Sequence, residues 1–560
     1  MNESSFAPEV RGLVARMTIE QKVGQMFLLA FAGPDPARAR AMIRDHFIGG
    51  CYISQENADT ARAACALSAR LQEYAVSSGA GIPLLLGADQ EGAWGVMVPD
   101  STTGPGNLGL GAAGSGKLTR AMYRVIGEEL RSVGYNTVFA PCVDVNSNPR
   151  NSVIGMRSFG EDPRAVARHA KAAVRGARAG GVITTAKHFP GHGDTSLDSH
   201  RNIPRVDRSR TEVERIDLPP FQAAIMAGVD MVMTSHILFP AIDPENPATL
   251  SKAILGGVLR ERMGFRGLII SDSMNMGAMR RNYAPADAAV RAVLAGVDMI
   301  MVAEEHYDHD SSRYEENQLA GIKGIIEAVK KGSIPQAVID TAVSRILQLK
   351  NVHGLLKGPV PVPDGSGVGS AAHRAVERAA SEKLVVRVRD RAGTWPVSRA
   401  RRVAVVQAVP AAAYAILTAT RGIGPNQADS AFSAFVREFS RQRPDVVVYT
   451  HENVAAAGTV ESLGGDFDAV IAVTEDYPLP GVDFDTIHQK ELVKRLIGSL
   501  GRKLIVIALR PPYELPDYPD LFTYICTCSS RPCAAQAAAK AACGRIRARG
   551  KLPVSEDKDL

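Results

Sequence analysis

Eight short apolar runs recur between residues 25 and 303, and they leave few folds open. They are QMFLLAF (25–31), GGCYIS (49–54), PLLLGAD (83–89), TVFAPCVDV (137–145), TTAKHF (184–189), MVMTSH (231–236), GLIISD (267–272) and DMIMVA (298–303). Nearly continuous apolar character suits strands buried on both faces of a parallel sheet. Helical patterns lie between most of them, such as GKLTRAMYRVIGEELRSVG and DPRAVARHAKAAVRGARAGG, and several end in glycine, as helix C-termini often do. Strands alternating with helices in this number predict an α/β fold, a (β/α)₈ TIM-like barrel. Polar residues gather at the C-terminal ends of the runs: Asp89, Asp144, Lys187, His188, His236 and Asp272. In such a barrel the chemistry sits on that rim. The competing architecture is a doubly wound open sheet.

The barrel is expected over 1–356. The stretch KGPVPVPDGSGVGS (357–370) reads as a linker from its Pro, Gly and Ser content. A smaller α/β sandwich domain is expected over 371–560, with strands at RRVAVVQAV, PDVVVYT, FDAVIAVT, KLIVIAL and LFTYICT. GLGAAG (109–114) matches a dinucleotide-binding pattern, but no strand directly precedes it. It reads as a flexible loop. The net charge of +6 over 560 residues has no dense basic block behind it, so no nucleic-acid partner is expected. No apolar run reaches the roughly 20 residues of a membrane span. The opening stretch lacks the pattern of a secretory signal. The seven cysteines are scattered, which argues against a disulfide framework. These features predict a cytoplasmic protein. Cys526, Cys528, Cys533 and Cys543 do not match a common zinc knuckle and read as buried thiols.

One stretch stands out chemically. KHFPGHGDTSLDSH (187–200) begins at a strand end, and PGHGD must then turn tightly over the barrel mouth. Asp198 and His200 are two apart, so in an extended segment both face the same way. A carboxylate beside an imidazole fixes its tautomer and makes a tunable general acid/base. Lys187 and His188 are placed to hydrogen-bond vicinal hydroxyls. The other reading is a metal site through His188, His192, Asp194 and His200, although zinc loops usually show tighter spacing. Asp272, in SDSMNM, brings a lone carboxylate to the same mouth; its alternative role is to cap the next helix. An acid/base and a lone carboxylate on two strand ends are the minimal kit of a retaining glycosidase.

Together these segments resemble glycoside hydrolase family 3, in its β-N-acetylglucosaminidase branch and in a two-domain form. KHFPGHGDTSLDSH resembles the signature loop of that branch. ADQEG (88–92), FAPCVDVNSNPRNSVIGMRSFGEDP (139–163), MVMTSH and IISDSMNM (269–276) match its other blocks in order, and GRIRARGKLPVS (544–555) is similar to its ending. The resemblance implies that Asp272 is the nucleophile. It implies that His200, oriented by Asp198, donates the proton and later acts as base. It also implies that Lys187, His188, Arg157 and Asp89 hold sugar hydroxyls, with His236 lining the same pocket, and that neither a cofactor nor a metal is needed.

One departure bears on recognition. The family pattern D-Q-E-G-G-x-V-x-R is here DQEGAWGVMVPD, so Ala93 replaces a glycine, Trp94 follows, and Met97 stands where an arginine contacts the sugar. The expected function is a retaining β-N-acetylhexosaminidase with an altered glycone pocket, taking a small carbohydrate or glycoside. The alternatives are a phosphorylase or transglycosylating enzyme on a modified donor, and a sugar-binding protein without turnover. The intact Asp198, His200 and Asp272 argue against the last.

Overall fold

The computed structural model describes residues 6–77, 80–92, 100–195, 203–303, 311–417, 427, 429–455, 459–477, 484 and 486–556. The eight strands of its larger sheet are β1 (Phe27–Leu29), β2 (Gly50–Tyr52), β3 (Leu85–Ala88), β4 (Thr137–Val138), β5 (Ile183–Phe189), β6 (Met231–Thr234), β7 (Leu268–Ile270) and β8 (Ile300–Val302). Seven of the eight apolar runs contain one of them, and β5 begins one residue before its run. All pair in parallel, in the order β8-β1-β2-β3-β4-β5-β6-β7. A parallel bridge between Ile270 and Met299 brings the two ends together, with the Ser271 N–H donating to the Met299 carbonyl at 2.9 Å. This closes the α/β barrel and removes the open-sheet alternative. Every residue of the eight strands is buried, because one face fills the barrel and the other meets the helices.

The outer helices follow from local chemistry. In the helix Pro163–Ala179, the Asp162 side chain accepts from the Arg164 N–H, and Pro163 opens the first turn. Val166, Ala170, Ala173, Val174 and Ala177 form its buried stripe. It packs on the helix Gly116–Ser132, capped by Ser115. Gly176 allows the two backbones to touch: a Cβ there would lie 2.3 Å from the Arg120 carbonyl oxygen.

A second sheet holds β9 (Val386–Asp390), β10 (Val403–Gln407), β11 (Val447–Tyr449), β12 (Ala469–Glu475), β13 (Leu504–Leu509) and β14 (Thr523–Cys526). Its order is β9-β14-β13-β12-β10-β11. All pairs are parallel except β9 with β14. The antiparallel edge strand β9 was not among the sequence-derived strands. Its alternating VRVRD pattern reads as half-exposed, which is what an edge strand is.

GLGAAG is helical, not a flexible loop. It forms most of the helix Gly106–Ala113, whose Leu108 and Ala112 enter the second domain's apolar core. Its glycines serve close approach rather than flexibility, since a Cβ on Gly111 would lie 2.0 Å from the Phe159 carbonyl oxygen. The stretch 357–370 carries no helix or strand, yet it is fastened to the barrel. The Gly365 N–H donates to the Ser132 carbonyl at 2.9 Å and the Gly369 N–H to Glu129 Oε1 at 3.0 Å. All seven cysteines are free thiols, among which Cys526, Cys528 and Cys533 are buried and Cys543 is partly exposed. Among the described residues no helix is long and apolar enough to cross a membrane.

One buried charge makes a stability signature. Lys350, on the helix Gln336–Val352, is fully buried and donates from Nζ to Gln25 Oε1 at 2.8 Å. Burial lowers its ammonium from 10.5 to about 7. The unfolded chain therefore binds this proton more tightly, and stability rises as pH increases from about 7 toward 10.5. Denaturant midpoints at about pH 7 and about pH 9.5 should show that rise, and Lys350→Met should flatten it.

Candidate active site

The polar groups of the C-terminal rim are brought together by six strand ends. Asp89 and Glu91 follow β3, and Lys187 and His188 close β5. Lys187 Nζ pairs with Asp89 Oδ1 and lies 2.6 Å from Glu91 Oε1. Arg157 reaches the same Glu91 with a two-pronged bond, Nε and Nη2 each at 2.9 Å. The second Asp89 oxygen accepts from Tyr52 Oη at 2.9 Å, at the end of β2. The Tyr52 ring stacks on Phe139. Burial alone would raise the Glu91 carboxyl, but Arg157 and Lys187 outweigh it and hold it well below the ordinary value. Burial likewise opposes the Lys187 charge, and Asp89 and Glu91 more than restore it.

A second network centres on Asp144, just after β4. Its carboxylate accepts from His188 Nδ1 at 2.8 Å, from the His188 N–H, from the His192 N–H at 2.7 Å and from the Cys142 thiol at 3.1 Å. His188 Nε2 lies 3.3 Å from Arg157 Nη2. Arg157 can only donate and Asp144 only accept, so the His188 proton sits on Nδ1. The lysine and histidine of β5 are thus held by carboxylates from β3 and β4 respectively.

The PGHGD loop is built on the same hub. Gly193 lies against the chain after β4, where a Cβ would be 1.7 Å from the Val145 carbonyl oxygen. Asn151 Nδ2 donates to the His192 carbonyl at 2.8 Å, and Arg208 joins Asp194 at 2.8 Å to Asp217 at 2.7 Å. This loop leads directly into the segment with Asp198 and His200. Those two residues, together with Ala93, Trp94 and Met97, lie outside the described residues.

Asp272 follows β7 and is partly exposed. The next helix, Gly277–Arg280, has Met276 at its N-cap position with no side-chain cap, so Asp272 is not its cap. Asp272 Oδ1 accepts the Ser273 N–H at 2.8 Å; Oδ2 has no hydrogen bond among the described residues. Burial works to raise this carboxyl, and His188, His236, the Ser273 N–H and Lys187 outweigh it to keep it below the usual aspartate value. His236, after β6, uses both ring nitrogens on the protein. Nε2 donates to the Ser273 carbonyl at 2.9 Å, and Nδ1 lies 2.9 Å from Thr249 Oγ1. The ring therefore supports the backbone that carries Asp272.

Cys142, Asp144 and His188 lie close enough together to suggest a metal ion. Their chemistry does not fit one. Burial and the neighbouring Asp144 push the Cys142 thiol well above its ordinary range, so it stays protonated, and the Asp144 oxygens are already filled by N–H and S–H donors. The His188 and His192 rings meet edge to face at 5.7 Å, but His192 Nδ1 lies 2.9 Å from Thr195 Oγ1 and Asp194 faces Arg208 and Ser147; His200, the fourth residue of that metal reading, lies outside the described residues.

The second domain touches this rim. Asn146 Nδ2 donates to Tyr513 Oη at 2.8 Å. The Glu161 N–H donates to the Pro553 carbonyl at 3.0 Å, and Glu161 Oε2 accepts from the Ser555 N–H at 2.9 Å. Tyr52, Glu91 and Cys142 are central here and were not singled out from sequence; Asp144 was read only as a polar rim residue, with no role of its own. Glu91 was signalled only by its place two residues after Asp89.

Residues 18–349 match the model of the glycosyl hydrolase family 3 N-terminal domain. The chain is 29% identical over 515 residues to β-hexosaminidase A of Pseudoalteromonas piscicida, covering 87% of this chain and 83% of that relative. It is 28% identical over 573 residues to a β-N-acetylglucosaminidase/β-glucosidase of Cellulomonas fimi, covering 97% and 95%. Among solved structures it is similar to a family 3 β-N-acetylglucosaminidase from Paenibacillus sp. str. FPU-7, with a TM-score of 0.84, 32% identity and coverage of 97% and 100%. A barrel that matches the family model along nearly its whole length, with the signature loop on its rim, makes this chain a member of glycosyl hydrolase family 3.

Proposed function

We propose that this protein is a retaining β-N-acetylhexosaminidase that works through a glycosyl-aspartate on Asp272. In this reading 1–356 is the catalytic domain, 357–370 the connection and 371–560 the supporting domain. The observation that carries it is the state of Asp272: an ionised, partly exposed carboxylate whose Oδ2 is unengaged among the described residues, with His188, His236 and Lys187 near enough to favour its charge. An oxocarbenium-like transition state needs such an anion below the sugar ring. Asp272 attacks the anomeric carbon as the bond to the aglycone oxygen breaks, and His200, oriented by Asp198, gives that oxygen its proton. His200 then takes a proton from water, the water oxygen bonds to the anomeric carbon, and Asp272 is released. The names of the relatives from Pseudoalteromonas piscicida and Cellulomonas fimi support the glycone.

Asp272→Ala should lower turnover of an aryl N-acetyl-β-glucosaminide on the order of 10⁴-fold or more, with the fold retained by circular dichroism. A fluorosugar inactivator should label Asp272; a label on another residue would overturn the assignment. For His200→Ala, substrates with poor leaving groups should lose about 10²- to 10⁴-fold, and activated aryl glycosides much less. Asp198→Asn should reproduce part of that pattern, and equal losses on both substrate types would contradict it. Met97 in place of an arginine removes a forked donor from the glycone pocket. The unsubstituted glycoside should therefore be a weak substrate, and Met97→Arg should raise its kcat/KM by roughly ten- to a hundredfold. A strong natural activity that Met97→Arg lowers would rule this out.

A further inference from the structure

The glycosidase reading leaves Asp194, the last residue of PGHGD, without a task. Its carboxylate is engaged by Arg208, whose Nη2 donates to Asp194 Oδ1 at 2.8 Å. The two residues are 14 apart in the chain. Asp198 and His200 lie between them in sequence. The ion pair therefore joins the two ends of the segment that carries the proposed acid/base.

Each end has a wall of its own. At the entry, Ser147 Oγ donates to Asp194 Oδ1 at 3.2 Å, Asn148 Nδ2 to the Asp194 carbonyl at 3.2 Å, and the Asn148 N–H to the Gly193 carbonyl at 3.1 Å. These donors all belong to the chain after β4. At the exit, the Val206 N–H donates to the Leu238 carbonyl at 2.9 Å and the Leu238 N–H to the Pro204 carbonyl at 3.0 Å, so this end rests on the chain after β6.

Arg208 is the side chain that spans the two walls. Nη1 donates to both Asp217 oxygens, at 2.7 and 2.9 Å, and Nη2 serves Asp194 and Ser147 Oγ. Asp217 is a firm anchor. It stands directly before the helix Leu218–Met226, its side chain is 2% exposed, and a Cβ on Gly191 would lie 2.9 Å from its Oδ1. The Arg208 side chain is itself 10% exposed, so water screens these bonds little. A planar guanidinium can hold several acceptors in fixed directions at once, which a lysine ammonium cannot.

Fixing both ends of a segment removes conformations from the chain between them. A general acid gains from that, because it must sit within hydrogen-bond reach of the glycosidic oxygen. A misplacement of about 1 Å can cost on the order of 10²-fold.

We propose that Arg208 is a positioning residue for the acid/base: with Asp194 and Asp217 it staples the segment carrying Asp198 and His200, and so sets how well His200 protonates the leaving group. The proposal rests on the glycosidase reading above and deepens its acid/base half. Arg208 spends its hydrogen bonds on Asp194, Asp217 and Ser147, so the sugar-facing cluster and Asp272 keep their own contacts when it is replaced.

The test compares an alkyl N-acetyl-β-glucosaminide, whose leaving group needs a proton, with an activated aryl one, whose leaving group does not. In Arg208→Gln, kcat on the alkyl glycoside should fall about 10- to 10²-fold and on the aryl glycoside less than about threefold, with KM for both close to that of the natural chain. Asp194→Asn keeps the shape of the side chain and should show the same split, which keeps the test open if Arg208→Gln folds poorly by circular dichroism. Equal losses on both glycosides, or no loss on either, would overturn the proposal. Combining Arg208→Gln with His200→Ala should add no further loss on the alkyl glycoside. A further loss as large as that of Arg208→Gln alone would overturn it, because the ion pair would then act on the fold rather than through His200. His200→Ala by itself tests the parent reading. If it shows no preference between leaving groups, the acid/base reading fails and the staple's role with it; if it does and Arg208→Gln does not, only the staple fails.

Discussion

Glu91 has no exposed side-chain surface, and the barrel mouth is organised around its charge. An isolated buried carboxylate would cost several kcal/mol, and only opposite charges in good geometry offset that. Lys187 and Arg157 supply them, from β5 and from the loop before the helix Pro163–Ala179. Removing one member of such a buried pair typically costs about 3–5 kcal/mol, because the remaining charge is stranded. Three segments distant in sequence are therefore locked at one point. Asp144 does the same for β4, β5 and the PGHGD loop with backbone and ring donors instead of cations.

These two hubs set the electrostatics of the site by pairing most of its charges internally. Asp272 differs. It makes no ion pair among the described residues, yet the basic groups behind it keep it ionised. That combination, charge without a tight partner that must be displaced before attack, suits the nucleophilic role proposed for it. His236 is likewise bonded within the protein, with Nε2 donating to the Ser273 carbonyl.

Much of the fold was legible in the sequence, for a definable reason. Barrel strands are buried on both faces, so each leaves an uninterrupted apolar run, and the rim residues stand at the ends of those runs. The strand β9 was hidden because an edge strand alternates Val with Arg. GLGAAG was misread because glycine argues against helix locally, whereas backbone contact with Phe159 and packing on the second domain decide its state. In the site, Asp89, Arg157, Lys187, His188 and Asp272 come together as their places on strand ends and loops suggested. Glu91 could not be singled out, since its role exists only through partners far along the chain. The proposed acid/base pair, Asp198 and His200, follows in sequence a loop whose anchoring through Asp144, Asn151 and Arg208 was equally invisible in sequence.

The bond between Glu161 and Ser555 closes a loop of 394 residues. The same rim segment supports the catalytic face: Ser158 Oγ donates to the Asp144 carbonyl at 2.6 Å, and the Asn146 N–H to the Gly160 carbonyl at 2.9 Å. A chain synthesised from its N-terminus completes every barrel strand long before residue 555 exists. The barrel can gain its hydrophobic core early, but the rim stays unfinished until the second domain has folded and its tail returns. Assembly is thus ordered in time, with the scaffold formed first and the catalytic face completed last.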